Sequence, residues 1–99
     1  MTAEQLEREF GERGIARGGI LFLRSDIALD LVHRARDAEI RVLGVDGFIL
    51  SGDTTQPSLE HSLDLSGNRH QNTGDSWKAA SEFLQPYAGK DLYFEVVLE

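Results

Sequence analysis

Cysteine is absent from the 99-residue chain, which excludes a disulfide framework, a thiolate zinc site and a dithiol redox centre. That absence fits a reducing compartment, and the expected location is cytoplasmic. Cations are scarce as well: ten Lys and Arg stand against seventeen Asp and Glu, a net charge of −7. A field of that sign repels phosphate backbones and anionic lipid headgroups, so neither nucleic acid nor a membrane surface is an expected partner. No apolar run approaches the roughly 20 residues that cross a bilayer. The opening "MTAEQLEREF" lacks the apolar core of a secretory leader.

What is present suffices for one domain over residues 1–99. Hydrophobic residues make up 40% of the chain, and a chain of this size buries roughly 65% of its unfolded surface without metal or disulfide support. The acidity is uneven, with three basic and eight acidic side chains after residue 50. A basic protein partner would be steered toward that half.

Thr2-x-x-Gln5 is a capping-box pattern that opens a helix carrying Leu6 and Phe10 on one face. Gly11 and Gly14 end it, and Gly11, Gly14, Gly18 and Gly19 read as helix-cap and loop glycines. They follow a helix and precede a strand, the reverse of the order in a phosphate cradle. "GGILFLR" is short and almost wholly apolar, as in a buried strand. Ser25 is the expected N-cap of the next helix, with Asp26 in its first turn and Ala28, Leu31, Val32 and Ala35 at helical spacing.

"IRVLGVDGFIL" is apolar on both alternating faces and reads as a central strand, with Asp46-Gly47 as a glycine bulge rather than a hairpin turn. "SGDTTQP" reads as a loop. Leu59, His61, Leu63 and Leu65 then alternate with Glu60, Ser62, Asp64 and Ser66, a strand with one dry and one wet face. After the polar run Ser66 to Ser76, Trp77, Ala80, Phe83 and Leu84 form a helical stripe expected to anchor the last helix to the sheet, and "DLYFEVVLE" supplies a final strand. The fold class is α+β. After the first helix, the order strand, helix, strand, strand, helix, strand predicts a ferredoxin-like split βαβ (βαββαβ) antiparallel sheet, with the extra N-terminal helix on the open sheet face or at an edge.

His61, Ser62 and Asp64 are close in sequence, but strand alternation separates His61 from the other two and no G-x-S-x-G elbow surrounds Ser62. His61 reads as a half-buried structural histidine. A metal site would have to draw His33, His61 and His70 from separate elements, with no ligand spacing to hold two of them together, so neither metal nor cofactor is expected. Arg24 lies in "LFLRSD", which has no glycine and passes directly into a helix, so the glycine-rich phosphate loop of acylphosphatases is missing. The aromatic and basic pattern of RNA-binding sheets is missing too.

The candidate ligand contacts are Arg24 at the end of the first strand and Arg69 and His70 in the polar run, which itself reads as a solvated connector. The leading expectation is a small acidic protein-interaction module, either self-associating as a homodimer or inhibiting a basic partner; bacterial toxin-immunity proteins are one class of such size and charge. The alternative is a small enzyme or metabolite-binding domain using Arg24 and the 66–76 loop. Convergence of Arg24, Arg69 and His70 on one cleft would separate the two.

Overall fold

A computed structural model describes residues 1–66 and 73–99. Helix α1 (Ala3–Glu9) begins with the expected capping box, in which the Thr2 hydroxyl accepts from the Gln5 amide and the Gln5 side chain accepts from the Thr2 amide. Its buried Leu6 and the C-cap residue Phe10 join the main core. The helix packs against α2 (Ser25–Asp37) rather than on the open sheet face or at an edge, because both apolar anchors lie on the side that α2 covers. Arg24, not Ser25, is the N-cap of α2. Ser25 is the first helical residue, and its buried hydroxyl donates to the Leu84 carbonyl. One of the orphan carbonyls at the end of α3 (Thr73–Leu84) is satisfied in this way.

The α+β class holds: five antiparallel strands form one sheet in the order β1-β2-β5-β3-β4. These are β1 (Ile15–Arg17), β2 (Ile20–Arg24), β3 (Val42–Ser51), β4 (Thr54–Asp64) and β5 (Tyr93–Leu98). The ferredoxin-like order is not found. It would put β4 inside the sheet beside β2 and leave β3 at an edge, whereas β5 lies between β2 and β3 and β4 is the edge. The reason is burial. β3 is apolar on both faces and gains most from two neighbours, while β4 carries Pro57, which an interior strand tolerates poorly, and a run of exposed polar residues.

One hairpin was not foreseen, and the expected hairpin between β3 and β4 is tighter than its loop composition suggests. Gly18 and Gly19, at φ 56° and 82°, make a two-residue turn between β1 and β2, a conformation open to glycine that turns the expected loop into a strand connection. Of "SGDTTQP", the expected loop of the second hairpin, only Gly52-Asp53 turns the chain: Ser51 pairs with Thr54, and β4 continues through Pro57. Arg17 ties the two hairpins together, its guanidinium donating to the Gly52 carbonyl at 2.8 Å and to Thr55 Oγ1 at 3.4 Å. The sheet is therefore curled.

One face of the sheet packs Leu23, Val42, Val45, Phe94 and Val96 against Leu31, Val32, Ala80 and Leu84 of the helices. Phe22 and Phe48 point the other way into the curl, edge to face at 4.9 Å. The stripe on α3 anchors as expected: Trp77 and Phe83 pack on the core, and the indole N–H donates to the Ile40 carbonyl at 2.8 Å. Among the described residues, no helix is long and apolar enough to cross a membrane.

Candidate functional site

Asp46-Gly47 is a point of irregularity in a continuous β3, as the sequence suggests, but most of the extra chain is on β4. Val45 pairs with Leu63 and Gly47 with Ser58, so Leu59 to Ser62 stand opposite Asp46 alone and must loop outward. The loop is braced from within. Ser62 Oγ donates to the Ser58 carbonyl at 2.8 Å and accepts from the Gly47 amide at 3.1 Å. Ser58 Oγ and His61 Nδ1 are 2.7 Å apart, and the His61 ring meets Tyr87 edge to face at 5.1 Å.

The bulge also breaks the expected alternation of a dry and a wet face. Leu59 does not join Leu63 and Leu65; it is 89% exposed, the most exposed large hydrophobic residue among those described. Period-two reading carried it inward because a bulge leaves no mark in hydrophobicity alone. The signal available was Pro57, with Ser58 and Ser62 after it, beside a glycine on the paired strand.

His61 is half-buried, in agreement with the structural reading. Its Nδ1 is occupied by Ser58 and one ring edge by Tyr87, an arrangement that braces a loop rather than one that activates a nucleophile, since among the described residues no third group orients the pair. Among the described residues, no group of three acidic or histidine side chains could hold a metal ion.

Arg24 ends β2, where its guanidinium is 3.4 Å from Asp91 and lies over the Tyr93 ring at 5.0 Å. Arg69 and His70 lie outside the described residues. Ser66, which precedes them, follows β4 at the end of the sheet where Val42 pairs with Leu98 and Gly44 with Asp64, opposite the end where Arg24 pairs with Tyr93. The structure brings together instead a set of carboxylates that sequence reading had not singled out.

Asp46 on β3 and Glu95 on β5 are direct cross-strand partners. Partial burial, then Asp46, then Glu7 push the Glu95 carboxyl above its ordinary value. Partial burial and Glu4 do the same to Glu7. Beside Asp46, on the sheet face away from the helices, is a groove of about 290 Å³ with Leu43, Leu63 and Val97 in its lining and Asp46 and Asp64 among its walls. A second groove, between α1 and α2, is crossed by the ion pairs Glu9–Arg34 and Arg13–Asp30 at 3.0 and 2.7 Å. Its charges are compensated internally.

A pH dependence follows from Glu95. Because its folded-state pKa is raised, the ionised form weakens the fold; this penalty is fully present above that pKa, shrinks as pH falls through it, and is gone below the unfolded value. Glu95→Gln is therefore expected to stabilise the protein at pH 7 by about 0.5 kcal/mol, the size of one like-charge cross-strand contact screened by solvent. The gain should vanish in acid. Urea melts at pH 7 and pH 4 check both halves of this expectation, and a variant less stable than wild type at pH 7 would refute it.

No protein-family model matches the chain, and a search of curated proteins finds no significant relative.

Proposed function

We propose that the protein is a small interaction module that docks onto another protein through the bulged edge strand β4. One observation carries this reading: Leu59 is held out into solvent at 89% exposure on a loop whose two serines and histidine are hydrogen-bonded to one another and to β3. A single exposed leucine on a loose surface has no significance. A leucine on a braced loop loses little conformational freedom on binding, which favours an anchor residue. β4 is the edge strand of the sheet, which adds a second means of contact, and the bulge and Pro57 keep it from pairing indiscriminately.

The enzyme or metabolite-binding alternative has less support. The Arg24 guanidinium is engaged by Asp91 and Tyr93, and the one serine–histidine pair described serves as a brace. The absence of cysteine supports a reducing, cytoplasmic setting for the interaction.

Leu59→Ser tests the proposal, because it removes the apolar anchor without altering charge or the hydrogen-bonded frame. Stability should change by less than about 0.5 kcal/mol, as for exposed positions in general. Capture of a partner from the native host by the immobilised protein should fall about tenfold or more, the loss expected of a central anchor residue. Equal capture by wild type and Leu59→Ser, measured by quantitative mass spectrometry, would remove the bulge from the interface.

A further inference from the structure

The β3–β4 hairpin extends past the cover of the helices. Residues paired across neighbouring strands share a face of the sheet, and Gly47 pairs with the core residue Phe94, so Gly47 lies on the side that the helices pack against. The Leu59 to Ser62 loop folds back over that position: a Cβ at Gly47 would lie 2.3 Å from the His61 carbonyl oxygen, and the His61 ring meets Tyr87, which packs on the core. Ile49 is two residues further along β3 and on the same side, about 7 Å on at the rise of a strand. It is 42% exposed, so the helical cover ends before it.

Ile49 and Leu59, two of the three exposed large hydrophobic residues among those described, therefore belong to one ribbon. Scattered ones are ordinary, whereas two on a single braced support mark a contact surface. The same ribbon has no cation of its own. From Val42 to Ser66 the chain holds Asp46, Asp53, Glu60 and Asp64 and no Lys or Arg, although lysine is a common guard of edge strands. Arginines reach the ribbon only near its ends, Arg17 at the turn, bonded to Gly52 and Thr55, and Arg41 at the base, bonded to the Leu65 carbonyl. Glu60, next to Leu59, is exposed and forms no ion pair among the described residues.

We propose that this part of the ribbon docks a segment of a partner protein in which apolar residues are flanked by Lys or Arg. The apolar residues pack on Ile49 and Leu59, and a flanking cation meets the Glu60 carboxylate. The proposal rests on the interaction reading and adds to it a second contact residue and the chemistry of the partner. Charge complementarity selects the occupant. A second copy of this chain, at a net charge of −7, would in a twofold contact set the acidic ribbon against itself, whereas a basic segment is steered toward it.

The test titrates the isotopically labelled full chain with three peptides: one of alternating leucine and lysine, one with glutamate in place of lysine, and one with serine in place of leucine. The leucine–lysine peptide is expected to shift the amides of Gly47 to Ile49 and of Ser58 to His61 most. Ile49→Thr, which keeps a side chain suited to a strand, and Leu59→Ser should each weaken its binding about tenfold. Glu60→Gln should weaken it several-fold, and Glu12→Gln, at an exposed position outside the ribbon, should leave it nearly unchanged. Thermal melts confirm that the variants are folded. Equal binding of the serine or the glutamate peptide, shifts spread over the whole acidic surface, or no binding at all would overturn the proposal. Sedimentation showing a dimer that Ile49→Thr dissociates would do so as well, by making a second copy the occupant. Partner capture from the native host separates this proposal from the reading it extends: a loss with Leu59→Ser but not with Ile49→Thr removes the extension and leaves the bulge, and a loss with neither removes both.

Discussion

Trp77→Ala is expected to lower the stability of the fold by about 3–5 kcal/mol, the range for truncating a large aromatic side chain packed on a core. The indole has two roles. Its ring packs on the cluster that includes Leu31, Val32, Ala80 and Leu84, and its N–H donates to the carbonyl of Ile40 at 2.8 Å. Ile40 lies between α2 and β3, so this bond joins the start of α3 to the chain entering the central strand. Alanine leaves a cavity and a carbonyl without its donor. Trp77→Phe separates the contributions, since it keeps most of the ring and removes the bond; it should cost about 1–1.5 kcal/mol, the net value of one hydrogen bond. Urea denaturation of the three proteins checks the order. A loss below about 1 kcal/mol for Trp77→Ala would mean that the stripe on α3 does not anchor the helix.

That anchor was legible because its signal is local. Helical spacing of Trp77, Ala80, Phe83 and Leu84 has one explanation, and the capping box at Thr2 and the stripe on α2 are equally self-contained. Strand order is different. Two βαβ units on an antiparallel sheet can be interleaved in more than one way, and the fold-level pattern favoured the ferredoxin-like one. The strands themselves pointed elsewhere: β3 is apolar on both faces and β4 has a wet face with Pro57, so a ranking by burial would have put β3 inside and β4 at the edge. The hairpin at Gly18-Gly19 was hidden because β1 is only three residues long, too short for alternation to register. Leu59 was misassigned because four residues of β4, Leu59 to Ser62, stand opposite Asp46 alone, and alternation read through such an irregularity does not tell which of them is carried outward. Asp46 and Glu95 are far apart in sequence and meet only through the β3–β5 register, which no local pattern reveals.

The same irregularity gives the other large effect, at Gly47. A Cβ built there would lie 2.3 Å from the carbonyl oxygen of His61 and 2.6 Å from its Cβ. The oxygen belongs to backbone and cannot swing aside, so Gly47→Ala must push β4 away from β3 in the middle of the sheet. The displacement also breaks the hydrogen bond from the Gly47 amide to Ser62, and with it the brace that holds Leu59 outward. A cost of about 3 kcal/mol or more is expected, at the upper end of overpacking because backbone rather than a side-chain tip must yield. Gly11→Ala is the matched control: nothing lies within 4 Å of a Cβ at Gly11, so stability should change by less than about 0.5 kcal/mol. If Gly47→Ala melts within that same margin of wild type, the close approach of the two strands is not what shapes the bulge. If it folds at reduced stability, the loosened brace should cost partner capture as Leu59→Ser does, since the anchor is then present in sequence but no longer held in place.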